Sequence, residues 1–177
     1  MKLIAERLLN SQLYQSKLQK LCSYEADRIY CRHDLAHFRE VGRIAGVVAR
    51  ENKLVFSQDL IDTCALLHDM GRVEQYESGI SHEKASVAFA REILLYLGCE
   101  EDYICTVCDA IAHHSQRYEV KARYSNAKNL TELGEILSYG DHFSRKCYKC
   151  QAARKCKWPS SEKIDREYYG GTNENRK

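Results

Sequence analysis

The chain has 177 residues, of which 44% are hydrophobic and 29% charged, with a formal net charge of +2. That balance excludes a disordered polar chain, and the length suits one domain with a buried core. The small net charge argues against a nucleic-acid or membrane partner.

Met1-Lys2-Leu3-Ile4-Ala5-Glu6-Arg7 breaks its apolar run with charge at once, which does not read as a signal peptide, and no window reaches membrane-spanning length. The expected location is the cytoplasm. Nine cysteines, an odd number scattered through helical patterns, read as reduced thiols, some of them metal ligands, in place of a secreted disulfide framework. Pro159 is the single proline, and no segment alternates valine or isoleucine as a strand would. The expected class is therefore all-α, a bundle of about six or seven helices.

In chain order, Leu8, Leu9, Leu13, Leu18 and Leu21 predict an amphipathic covering helix from Glu6 to about Asp27. Tyr30-Cys31-Arg32-His33-Asp34 leads into a second helix that carries His37 and buries Phe38, Val41, Ile44, Ala45 and Val48. Asn52-Lys53 is its expected stop. Ser57 is expected to cap a third helix with Leu60, Cys64 and Leu67 facing inward, which ends at His68-Asp69. A polar loop from Gly71 to Gly79 follows.

Ser81 is expected to cap a fourth helix, with His82 in its first turn, Ala85, Ala88, Phe89, Ile93 and Leu97 inward, and Gly98 as its C-terminal cap. A fifth helix runs from Glu101 through Ile104, Val107 and Ile111 to His113-His114. Within it Cys105 and Cys108 read as core residues. Ser115 to Asn129 reads as a basic loop over the histidines, with Arg117 and Lys121 as solvated charges. A sixth helix, from Thr131 through Leu133 to Phe143, carries Asp141 and His142, the latter assigned no ligand role. Three cysteines, Trp158 and Pro159 then crowd together, and the tail ends in Gly170-Gly171 and polar residues. The division is a covering helix at 1–28, a central unit at 29–146 and a Cys-rich extension at 147–177, all within one domain.

His37, His68-Asp69, His82, His113-His114 and Asp141 each lie at a helix end or on an apolar helical face. Neutral imidazoles and carboxylates together suit divalent metals. The set resembles the HD superfamily of metal-dependent phosphohydrolases, whose pattern is a histidine in one helix, an adjacent His-Asp and a distant aspartate. His37-Phe38-Arg39-Glu40-Val41 followed by Ile44-Ala45 is similar to the first motif. Leu66-Leu67-His68-Asp69-Met70-Gly71-Arg72 is similar to the second, and Ile136-Leu137-Ser138-Tyr139-Gly140-Asp141 to the last.

The resemblance implies an HD-domain bundle in which His37, His68, Asp69 and Asp141 hold one metal. His82 and His114 resemble the extra ligands of binuclear members, where the counterpart of Asp69 bridges two ions. His113 is a further ligand candidate or a supporting partner. Iron or manganese is favoured, with cobalt, nickel or zinc also suited to these donors.

The implied activity is hydrolysis of a phosphomonoester or phosphodiester bond, in a small nucleotide-like substrate, by a metal-activated hydroxide. Arg72 and Arg145 are the candidate cations for the phosphoryl charge. His33-Asp34 spells the motif dipeptide without the preceding apolar run, so His33 is a candidate for touching a substrate phosphate and not for a ligand. The alternatives are a dinucleoside polyphosphate hydrolase and a non-catalytic metal- or ligand-binding HD regulatory domain.

Cys147-Tyr148-Lys149-Cys150 and Cys156 offer part of a structural zinc site. If the helices bearing His37 and Asp141 run antiparallel, Cys31, six residues before one, lies beside Cys147, six after the other. Cys31, Cys147, Cys150 and Cys156 are then a four-cysteine candidate, against the alternative of ordinary reduced thiols.

Overall fold

The computed structural model describes residues 3–114 and 132–168, and among them the elements are α-helices and short 3-10 turns with no strand. The helices are α1 (Ile4–Leu9), α2 (Gln12–Tyr24), α3 (Leu35–Glu51), α4 (Gln58–Leu67), α5 (Arg72–Ser78), α6 (His82–Tyr96), α7 (Glu101–His113) and α8 (Glu132–Ser144). The expected basic loop over the histidines, with Arg117, Lys121, Arg123 and Lys128, lies outside the described residues. None of the described helices is long and apolar enough to cross a membrane.

Helix α3 forms the spine. Phe38, Val41, Ile44, Ala45 and Val48 are all buried, as their spacing of three and four requires for one helical face. Asp34 starts the helix, its carboxylate accepting the His37 N–H at 2.9 Å. The apparent second His-Asp dipeptide is thus an N-cap. The chain leaves α3 at Asn52 with Lys53 in the left-handed region at φ 58°, and Leu54 N–H returns to the Ala49 carbonyl at 2.9 Å.

Helix α4 is capped as expected, with Ser57 accepting from Leu60 N–H at 3.2 Å. Its apolar run Cys64, Ala65, Leu66, Leu67 is buried up to the turn that carries His68 and Asp69. The core continues through Phe89, Ile93 and Leu94 of α6, Ile104, Val107 and Ile111 of α7, and Leu133, Ile136 and Leu137 of α8.

Four local expectations change. The N-terminal cover is two helices, because the chain turns at Asn10-Ser11. Asn10 bonds back to the Glu6 carbonyl at 2.8 Å, and Asp59 of α4 takes the free Ile4 and Ala5 amides at 3.0 and 2.9 Å. The stretch from Gly71 to Gly79 is mostly helix α5. Val73 turns into the core, and Gly79 ends the helix at φ 69°. Ser81 stands at the start of α6 but makes no capping bond, since its hydroxyl goes to Glu83. In α7, Cys108 is buried as expected while Cys105 is exposed.

Helices α3 and α8 pack antiparallel, with Val41 facing Gly140 and His37 facing Asp141 and Ser144. A Cβ on Gly140 would lie 2.6 Å from the Val41 carbonyl oxygen. Only a hydrogen side chain permits this approach. Gly140→Ala is therefore expected to push the two helices apart and lower stability by about 1–3 kcal/mol, read as a lower urea midpoint with the helical content retained.

Candidate metal centre

Asp69 sits in the turn between α4 and α5, 1% exposed, and both of its carboxylate oxygens are surrounded by nitrogen. Oδ2 lies 3.6 Å from His68 Nε2 and 3.4 Å from His33 Nε2. Oδ1 lies 3.4 Å from His82 Nε2, 3.8 Å from His114 Nε2 and 3.1 Å from Arg72 Nε. Burial works to raise the pKa of this carboxyl. The electrostatic pull of the surrounding His68, Arg72 and His33 side chains and a hydrogen bond with His114 outweigh it and hold the group well below the ordinary carboxylate range.

The donors form two groups that share Asp69. His37, His68, Asp69 and Asp141 place one ligand atom each within 4.8 Å of one another, and so do Asp69, His82 and His114. In the first, Asp141 Oδ1 is 3.4 Å from His37 Nε2 and 3.9 Å from His68 Nε2. These are non-bonding separations for bare groups. They are what several donors around one cation would leave between them.

Tautomers favour the same reading. His68 Nδ1 points at the Ala65 carbonyl at 2.7 Å and His114 Nδ1 at the Ile111 carbonyl at 2.6 Å, so each Nδ1 carries the proton. Ser144 donates its hydroxyl proton to the Asp141 carbonyl at 2.8 Å, which leaves its oxygen to accept from His37 Nδ1 at 3.2 Å. Glu83 faces His82 Nδ1 at 3.4 Å. In their neutral forms His37, His68 and His114 thus present an Nε2 lone pair inward.

The Nε2 atoms of His37 and His68 are buried without a hydrogen-bond partner among the described residues. An unmet buried acceptor costs about 1–3 kcal/mol, and a bound cation would satisfy both. Burial pushes the His37 and His82 imidazoles down to about 4, so both are neutral near pH 7, as ligands must be. The residues present fit a divalent metal.

The fold explains the placement. Gly71 follows the motif because α6 presses on it. A Cβ there would meet the His82 carbonyl and the Ser86 amide nitrogen, each at 2.3 Å, while the Gly71 N–H bonds Ser86 Oγ at 2.9 Å. That contact sets His82 over Asp69. Helix α7 ends where His114, 3% exposed, can reach the same carboxylate.

Other expected site residues lie elsewhere or act differently. His113 bonds the Asp109 carbonyl at 2.7 Å through Nδ1 and belongs to neither donor group. Arg145 bonds the His142 carbonyl at 2.8 Å and stacks on Trp158 at 4.1 Å, so its guanidinium is engaged beyond the end of α8. His33 is buried between two carboxylates, with Nδ1 2.6 Å from Glu25 Oε1 and Nε2 toward Asp69. That position orients Asp69 and leaves neither ring nitrogen free for a phosphate.

Glu25, which the sequence did not single out, anchors this arm. It accepts the His33 backbone N–H at 2.6 Å and the Tyr76 hydroxyl at 2.6 Å, with Arg28 at 4.0 Å. Burial opposes its charge, but His33 and Tyr76 overcome it and bring the carboxyl down to about 2 from 4.5. A depressed carboxylate stabilises the fold fully above its unfolded value and loses that contribution as pH falls through the folded one. The urea midpoint of Glu25→Gln should therefore lie below wild type at pH 7, and the gap should shrink steadily between pH 4.5 and 2.

Comparison with known proteins agrees with the geometry. Residues 34–146 match the HD domain family. An uncharacterized protein of Clostridium beijerinckii is 33% identical over 162 residues, covering 92% of this chain and 96% of its own length. Ribonuclease Y of Thermobifida fusca is 38% identical over 112 residues, which are 63% of this chain and 20% of that protein. In structure, the chain is similar to a predicted HD superfamily hydrolase from an uncultured Thermotogales bacterium, with TM-score 0.55 and 20% identity, covering 75% of this chain and 66% of the other. The helical bundle, the histidine and aspartate donors at the motif positions and these matches together mean that the chain belongs to the HD domain family.

Proposed function

We propose that the protein is a metal-dependent phosphohydrolase that cleaves a phosphomonoester or phosphodiester bond in a small nucleotide-like substrate. The observation that carries this reading is Asp69 shared between two donor groups, one of four residues and one of three. His37, His68 and Asp141 would hold one ion, His82 and His114 a second, and Asp69 would touch both. Divalent ions held there supply Lewis acidity toward phosphoryl oxygens and make water acidic enough to serve as the nucleophile near neutral pH. Iron or manganese is our choice of metal.

The protein's own part is electrostatic and positional. Two divalent charges exceed those of Asp69 and Asp141, so the loaded site attracts an anionic phosphate. Arg72, partly exposed beside Asp69 and steadied by Gln75 at 3.1 Å, is placed to meet the charge that grows on the phosphoryl oxygens. Arg145, the second expected cation, is engaged at His142 and Trp158 and takes no part in this mechanism. His33 and Glu25 hold Asp69 in place, and Ser144 and Glu83 fix the rings of His37 and His82.

A dinucleoside polyphosphate hydrolase would use the same residues and differ in substrate. A regulatory domain without turnover would have no need of both donor groups together with Arg72. Phosphate or nucleotide release from mononucleotides, cyclic nucleotides, dinucleoside polyphosphates and a short RNA, each with Mn, Fe, Co or Ni, separates these readings. Turnover abolished by Asp69→Ala is expected. The enzyme reading fails if no combination gives it.

Metal content gives a second measurement. His82→Ala should lose one ion and keep the other, whereas Asp69→Ala should disturb both. Glu83→Gln should weaken the second ion by roughly 10- to 100-fold. Arg72→Met should retain metal and lower kcat by about 100-fold, with partial recovery in Arg72→Lys.

A further inference from the structure

The stretch after α8 has little of its own to order it. From residue 147 to 168 the regular structure is two single-turn 3-10 helices, Cys147–Lys149 and Ser160–Glu162, and the buried side chains are Ala152 and Ile164. Its backbone bonds are short-range, such as Cys150 N–H to Cys147 carbonyl at 3.1 Å and Ala153 N–H to Cys150 carbonyl at 3.1 Å. Cys147, Tyr148 and Tyr168 pack partly buried against the core, with Tyr168 against Tyr139 and Phe143, but the segment between them has few buried contacts to offset the entropy of fixing it. The loop before α3 is equally irregular, and it meets this stretch.

The two loops meet beside their cysteines. Tyr30 bonds the Lys155 carbonyl at 3.4 Å, joining the neighbours of Cys31 and Cys156. The antiparallel packing of α3 and α8 brings Cys31, six residues before His37, to the end where Cys147 emerges six residues after Asp141. Burial raises the Cys31 thiol above its ordinary value, and the nearby Cys147, Cys150 and Cys156 raise it further. All four are free thiols of intermediate burial.

We propose that Cys31, Cys147, Cys150 and Cys156 form a four-thiolate site for one structural zinc ion, which staples the C-terminal extension to the entry of α3. The Cys-x2-Cys spacing at Cys147 and Cys150 lets two sulfurs of one turn approach a tetrahedral ion from adjacent corners. The other two corners come from separate loops, which is what makes the ion a cross-link. Binding replaces four thiol protons with one Zn2+ and releases the protons to solvent, leaving a site of net charge −2. Arg145, Lys146, Lys149, Lys155 and Lys157 surround that charge in sequence.

Arg145 adds an independent sign. Its guanidinium stacks on Trp158, acts electrostatically on Cys31, and carries a buried Nη1 with no hydrogen-bond partner among the described residues. A metal-bound thiolate is an acceptor of the right charge for that donor. Among the described residues, the groups that gather three or more ligand atoms within 4.8 Å are the two histidine and aspartate sets. Zinc–sulfur bonds near 2.3 Å would therefore draw the four sulfurs closer together.

The test uses the full chain, purified with reductant, stripped by chelator and titrated with Co2+. Wild type is expected to give intense visible bands of tetrahedral cobalt and a thiolate-to-cobalt charge-transfer band, all displaced by Zn2+. Cys150→Ser and Cys156→Ser should lose the charge-transfer band. Cys105→Ser, at an exposed cysteine outside the cluster, and Asp69→Asn, in the histidine and aspartate centre, should keep it. Should the serine variants lose their helical circular dichroism, Cys147→His is expected to fold and retain tetrahedral cobalt with a weaker charge-transfer band. A folded, stripped wild type with no charge-transfer band overturns the proposal, and so does a Cys105→Ser variant that loses the band as fully as Cys150→Ser.

Discussion

The structure depends on one buried carboxylate. Asp69 is sealed from water, yet its charge is held by nitrogen from four other parts of the fold: the loop before α3, the end of α4, the start of α6 and the end of α7, with Arg72 of α5 closing the ring. A buried charge without partners would cost several kcal/mol and would take up a proton instead. Each of those segments must therefore arrive in register. The bundle's connections can be read as the means of bringing them there.

Two close approaches do most of this. At Gly71 the backbone of α6 lies where a side chain would be, and His82 is delivered over Asp69 as a result. At Gly140 α8 lies against the Val41 carbonyl of α3, and that contact sets Asp141 opposite His37. Both glycines flank a motif aspartate by two residues or fewer. Their lack of a Cβ is thus a requirement of the site as much as of the packing.

Much of this was legible in the sequence, for a physical reason. Helices with spacing of three and four, such as Phe38 to Val48 and Ile104 to Ile111, announce their buried faces, and the motif residues sit at fixed positions on those faces. His82 and His114 stand out through the family resemblance, since a histidine at a helix end beside an apolar stripe is by itself no mark of a ligand. Helix α5 was missed because seven residues give too little periodicity, and only Val73 of them is buried. Glu25 was missed because nothing local marks it. It sits just past α2, and its meaning arises only when the loop folds His33 back onto it. Sequence proximity does not fix where Arg145 points. One helical turn from Asp141 suggested a shared face, but α8 ends at Ser144, and beyond the helix the spacing rule no longer fixes direction.

The same break in α8 links the two ends of the molecule. Up to Ser144 the chain is committed to the histidine and aspartate centre, with Ser144 itself bonded to His37. One residue later Arg145 faces Trp158 and the cysteine loops. A shift of α8 along α3 would disturb His37 and Asp141 at one level and the contact of Arg145 with Trp158 at the other. Whatever fixes the loop end of that helix pair therefore also fixes the spacing between the two motif ligands, since the helices between them are rigid and in contact at Gly140. The C-terminal extension lies outside the matched family segment at 34–146, yet through Trp158 and Tyr168 it packs on Arg145 and Phe143 at the end of the helix that carries Asp141.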